Sequence, residues 1–153
     1  MSAYGDVLNA VQTALGEIST LQNLSMSFAL RKRPSLIPLQ DALPQCVISP
    51  PADLAEKIFG FSSESIMLEY EVYIGLFFDA RWEVSRLEER LAAREAIRKR
   101  LHPPKSIAPL VGTIWNSSYN PKPSITFDDD VKAANIDYSW QLFTFIDKQA
   151  KGF

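Results

Sequence analysis

Between Ile66 and Phe78 every second residue is apolar (Ile66, Leu68, Tyr70, Val72, Ile74, Leu76, Phe78), while the alternate positions run Met67, Glu69, Glu71, Tyr73, Gly75 and Phe77. Successive side chains of a strand point to opposite faces, so this period of two predicts one long strand. One of its faces is sealed and the other only at its far end. The pattern returns over 134–146, where Ile136, Tyr138, Trp140, Leu142 and Ile146 share one face and are expected to be the buried set. Asn135, Asp137, Ser139, Gln141, Phe143, Phe145 and Asp147 share the other, again polar first and apolar later. Each strand would span about 45 Å at about 3.3 Å per residue, against a usual strand of about 5–6 residues.

Other segments follow a different period. At about 100° per residue, Val7, Val11, Ala14, Leu15, Ile18 and Leu21 fall in one arc, with Asn9, Gln12, Thr13, Gly16 and Glu17 opposite, predicting a single amphipathic helix that stops at Asn23. From Leu24 to Leu30 the period changes to two, the mark of a half-buried strand. LPQCVIS (43–49) reads as a short buried strand closed by Pro50 and Pro51, and 52–61 fits either a helical turn or a strand arm. A second helix is expected over 81–101, ended by His102, Pro103 and Pro104, since proline neither donates nor fits inside a helix. A strand over 112–119, a turn at 120–123, a short strand over 124–127 and a turn at 128–132 complete the order. This order predicts one α+β domain over 1–153, a mixed or antiparallel sheet with helices on one face.

A chain of 153 residues, 46% apolar, is long enough for one core and short for two. Its 16 Lys and Arg against 18 Asp and Glu give a net charge of −2, which offers no general attraction to nucleic acid or anionic membrane. The first residues carry neither a basic n-region nor a continuous apolar run, so no signal peptide or membrane span is expected there, and the compartment expected is the cytosol. The usual chemical signatures are missing. His102 is the single histidine and sits before two prolines, more a helix end than a general base. Cys46, the single cysteine, lies in an expected buried strand, a poor setting for a thiolate. Six glycines form no phosphate-binding loop, and Asp128, Asp129 and Asp130 lack the alternating spacing of a calcium loop. No catalytic residue, metal or cofactor is therefore expected, and the balance favours a structural or interaction protein over an enzyme.

Two features bear on interaction. The half-sealed faces leave Phe77, Phe143 and Phe145 to be covered either by the chain's own helices and loops or by a neighbouring subunit, because large exposed apolar patches are rare on monomers. On the second helix Arg86, Arg90, Arg94 and Arg98 lie four apart, in the same arc as Leu87, Leu91, Ile97 and Leu101, with Glu88, Glu89 and Glu95 opposite. Such arginines either flank the apolar face or meet carboxylates, of Glu69 and Glu71 or of another copy. We expect the three phenylalanines and part of the arginine row at subunit interfaces. Arg31, Lys32 and Arg33, together with Asp128, Asp129 and Asp130, are candidate partner-contact loops.

The layout of an N-terminal amphipathic helix, the strand LPQCVIS, the long strand SIMLEYEVYIGLFF, the charged helix EVSRLEERLAAREAIRKRL, the acidic turn TFDDDV and the last strand ANIDYSWQLFTFID resembles the tail terminator proteins of long-tailed bacteriophages. The likeness is one of order and pattern over most of the chain, and related head–tail joining proteins share much of it. It departs from that family at 31–41 and at the Pro-rich 103–109. The resemblance implies a virion protein of the neck, assembled in the host cytoplasm as a ring, expected to be hexameric, at the head-proximal end of the tail. There it would stop growth of the tail tube and join it to the head connector, with DNA passing through the lumen. A head-completion or stopper protein is the near alternative. A cellular ligand-binding α+β domain, with a pocket between the sheet and the second helix, is the alternative of another class.

Overall fold

The computed structural model describes residues 3–35, 43–52, 57–61, 65–79, 87–102, 114–125, 127 and 136–150. Among the described residues, three helices, α1 (Ala3–Gly16), α2 (Ser19–Asn23) and α3 (Leu87–Leu101), lie with six strands: β1 (Ser27–Leu30), β2 (Gln45–Ser49), β3 (Lys57–Phe61), β4 (Ser65–Asp79), β5 (Ile114–Asn120) and β6 (Ile136–Ala150). One sheet contains all the strands, in the order β1-β2-β4-β6-β5, with β3 paired to β4 off that path. β1 runs parallel to β2, and every other pairing is antiparallel. The fold is α+β with a mixed sheet, and its spine is the pair of 15-residue strands β4 and β6, matched from Ser65↔Ala150 to Asp79↔Ile136.

The period of two in β4 translates directly into packing. Leu68, Tyr70, Val72, Ile74, Leu76 and Phe78 are buried under the helices, against Val7, Val11, Leu15, Leu21, Ile97 and Leu101. The opposite face carries a smaller cluster of Val47, Tyr73, Phe77 and Trp140, with Leu43, Ile125, Phe127, Ile136 and Leu142 packed around it. Because both faces of β2 are covered, all five of its residues are buried. Gly75 lies opposite Trp140 in the register, and a Cβ there would stand 2.7 Å from the indole ring. The glycine is the space into which the indole packs.

Three expectations about local structure change. The single helix expected up to Asn23 breaks after Gly16: Ile18 is extended (φ −75°, ψ 116°) and α2 is a separate short helix. The break still directs Leu21 into the core, so a continuous arc on the wheel did not require a continuous helix. The short strand expected over 124–127 is absent at 124, 125 and 127, where Ile125 and Phe127 instead form the irregular cover of the smaller cluster. Both faces of β6 are largely buried: Trp140 and Ile146, on the side expected to be sealed, are buried, and so are Gln141, Phe143, Phe145 and Asp147 on the other. Its helix-facing side is the one carrying Phe143 and Phe145, because the register sets Phe145 beside Tyr70 and Phe143 beside Val72. Tyr138, on the side expected to be sealed, is 38% exposed. The ambiguous segment before β4 contributes strand β3, and β6 runs four residues beyond its expected end.

Candidate interaction surface

The polar residues of β6 under the helices form the seat of α3. Arg90 Nη1 donates to Asp137 Oδ2 at 2.8 Å. Arg94 donates through Nη1 to Ser139 Oγ and to the Trp140 carbonyl at 3.2 Å, and through Nη2 to the Pro121 carbonyl at 2.7 Å. Gln141 Nε2 donates in turn to the Arg94 carbonyl at 3.1 Å and the Tyr119 hydroxyl at 2.8 Å. A planar guanidinium can serve several acceptors from one fixed fork, which suits it to pinning a helix across a strand. Arg90 and Arg94, expected at a subunit interface, are thus engaged within the chain, and their partners are on β6 and the turn after β5, not Glu69 or Glu71. Arg98 is partly exposed, beside the Glu95–Lys99 pair at 2.8 Å; that bond and the Lys99 charge hold the Glu95 carboxyl below its ordinary range. Arg86 lies outside the described residues.

The three phenylalanines are likewise corrected. Phe77, Phe143 and Phe145 have no exposed surface in the single chain. Phe77 meets Trp140 edge-on with ring centres 5.9 Å apart, and Phe143 lies 4.9 Å from Tyr119. The covering residues lie on α3 and the helices beside it on one face and are Leu43, Ile125 and Phe127 on the other, so these rings are core and not a surface for a neighbour.

The surface offers a different apolar set. The exposed large apolar side chains among the described residues are Leu30, Leu87, Leu91 and Tyr138. Two of them, Leu87 and Leu91, lie on a cleft of about 150 Å³ with Leu76 and Phe78 at the end of β4, while the Tyr138 ring stands on the opposite face of the sheet, against Phe127. Arg90, Arg94 and Asp137 line the same cleft. On the far side of Arg94 and Tyr138 lies a shallower cleft of about 420 Å³ between Pro121, Lys122, Phe127 and Trp140. On α3 the arginines stand between the buried stripe of Ala93, Ile97 and Leu101 and the exposed Leu87 and Leu91. The wheel groups all four leucines and isoleucines in one arc, and only the helix's position on β6 separates them.

The remaining candidates are placed as follows. Arg31 is half-buried, while Lys32 and Arg33 are exposed just beyond edge strand β1. Asp128, Asp129 and Asp130 lie outside the described residues. His102 Nδ1 is 2.7 Å from Ser117 Oγ and its ring stacks on Tyr119, contacts that close the end of α3 onto β5. Cys46 is fully buried, and that burial pushes its thiol well above the ordinary range. Among the described residues no three His, Cys, Asp or Glu side chains are grouped to hold a metal, and no helix is long and apolar enough to cross a membrane. No protein-family model matches the chain, and no curated protein matches it.

Proposed function

We propose that the chain is a structural subunit of a bacteriophage neck, a tail terminator that assembles as a ring at the head-proximal end of the tail tube and joins it to the head connector. The observation that carries this reading is the cleft at the start of α3, where Leu87 and Leu91 expose apolar surface beside the sheet. Contiguous exposed apolar side chains of this kind mark contact surfaces. The order of elements, which resembles the terminator proteins, supports the assignment of that surface to ring and neck assembly. A head-completion or stopper role in the same neck draws on the same features.

A second reading rests on Arg94, whose acceptors are a hydroxyl and two carbonyls, with no carboxylate among the described residues. The adjoining cleft, with Lys122 and three aromatic rings, would then hold an organic anion. Absolute mass by light scattering, with negative-stain images of the same peak, separates the two. A closed ring with a central lumen is the expected result. A compact dimer whose melting temperature rises with phosphate or sulfate would replace it with the anion-binding reading.

A further inference from the structure

We infer that the cleft between Arg94, Lys122 and Tyr138 binds a small aromatic phosphate monoester, a flat ring carrying one dianionic head; this rests on the anion reading above, names its ligand, and does not depend on whether copies assemble. Charge sets the place of the head. Arg94 and Lys122 both line the cleft, and no Asp or Glu lines it. Among the described residues neither cation is ion-paired, whereas Arg90, Lys99 and Arg100 each meet a carboxylate. A guanidinium has five N–H groups. Ser139 Oγ and the Trp140 carbonyl take both on Nη1, and the Pro121 carbonyl takes one on Nη2, so one on Nη2 and the one on Nε remain for a ligand. Guanidinium donors make strong charge-assisted hydrogen bonds to phosphate oxygens. Because three neutral acceptors already hold the Arg94 head in place, little side-chain freedom is lost when the anion arrives.

The aromatic wall of the same cleft selects the body of the ligand. Phe127 meets Tyr138 and Trp140 edge-on, with ring centres 6.3 and 5.6 Å away. Trp140 is almost wholly covered, while Tyr138 is 38% exposed and offers the accessible ring surface of that wall. A flat ring packed on it gains a ring–ring contact beyond simple burial. The volume of about 420 Å³ falls within the range of about 300–1,000 Å³ usual for small-molecule sites. Two cations with no acid between them favour a phosphate monoester, of charge about −1.5 to −2 at neutral pH, over a carboxylate of half that charge. The cleft at the start of α3 shares Arg94 but is also lined by Asp137, whose charge repels a second anion, so the head group belongs on the Lys122 side.

Isothermal calorimetry on the full chain at neutral pH, with phenyl phosphate, inorganic phosphate and benzoate as titrants, tests the site. Phenyl phosphate should bind about threefold to tenfold more tightly than inorganic phosphate, the gain expected of one ring contact. Two variants locate the binding. Lys122→Glu reverses a charge beside the head and should weaken both phosphates by about tenfold. Tyr138→Leu keeps an apolar side chain but removes the ring, and should bring phenyl phosphate down to the affinity of inorganic phosphate while leaving the latter unchanged. Lys122 is exposed and Tyr138 more than a third exposed, so both variants should melt within about 3 °C of the parent chain. Equal affinity of the parent chain for the two phosphates overturns the aromatic ligand and leaves the anion reading standing. Tighter binding of benzoate than of phenyl phosphate overturns the phosphate head. Binding that neither variant alters overturns the placement in this cleft, and no binding of any titrant overturns the site together with the anion reading. The ring reading is tested by light scattering and is untouched by all of these.

Discussion

Phe143 and Phe145 show how a single side chain's role depends on what lies above it. In the sequence they sit among Asp137, Ser139 and Gln141 and look like the dry end of a wet face; in the fold that face is roofed by helices, and both rings are fully buried. Removing a buried phenylalanine ring costs about 3–5 kcal/mol. We therefore expect Phe143→Ser and Phe145→Ser each to lose at least about 3 kcal/mol in urea unfolding, and not to yield a stable monomer released from an assembly. Gly75 makes the same point in reverse: lacking a side chain, it is the position that admits Trp140.

The helix ends and the seat of α3 are decided by groups that satisfy backbone and side-chain polar atoms together. After α2, the Ser25 amide donates to the Gln22 carbonyl at 3.0 Å and the Met26 amide to the Leu21 carbonyl at 3.2 Å, while Met26 and Leu21 share the core. This paired bonding closes a helix through a residue in the left-handed region, and Ser25 occupies it at φ 56°. Glycine reaches that region without the side-chain penalty, so Ser25→Gly should raise stability by about 0.5–1 kcal/mol, read from the urea midpoint. For α3, Arg90 and Arg94 differ in kind. The Arg90–Asp137 pair is partly solvated, with side chains 23% and 45% exposed, and such pairs contribute about 0–1 kcal/mol. Arg94 serves a hydroxyl and two carbonyls at once, two of them partly buried, so its removal costs several hydrogen bonds of about 1 kcal/mol each. Arg94→Met should accordingly destabilise more than Arg90→Met, with the loss appearing in thermal unfolding of α3.

Over the whole chain, Cys46, the second residue of the buried strand β2, links stability to pH. Burial raises its thiol pKa, so the folded state holds the proton above the pH at which the unfolded thiol, near about 8.5, releases it. Its contribution is intact below about pH 8.5 and is lost as pH rises beyond, by up to about 1.4 kcal/mol per pH unit. Urea midpoints measured from pH 7 to pH 10 should fall more steeply for the parent chain than for Cys46→Ala.

Periodicity carried most of the architecture because it is a local property of the backbone. A strand alternates its side chains, so β4 and β6 were legible from spacing, and proline boundaries added β2 and the end of α3. The α+β class followed from their order. Which face of β6 meets the helices was not legible: that depends on the β4–β6 register and on the helices lying over it, contacts between residues 75 positions apart in Tyr70 and Phe145. The fate of the arginines is of the same kind. Their spacing placed them on one side of α3, but whether they meet solvent, a neighbour or the chain itself was set by Asp137, Ser139 and Pro121 arriving from elsewhere. Leu87 and Leu91 share an arc with Ile97 and Leu101, yet two are exposed and two buried, because the sheet beneath α3 reaches only part of that arc. Local covalent geometry makes the elements; burial is a property of pairs of elements, and it appears only when they have been packed together.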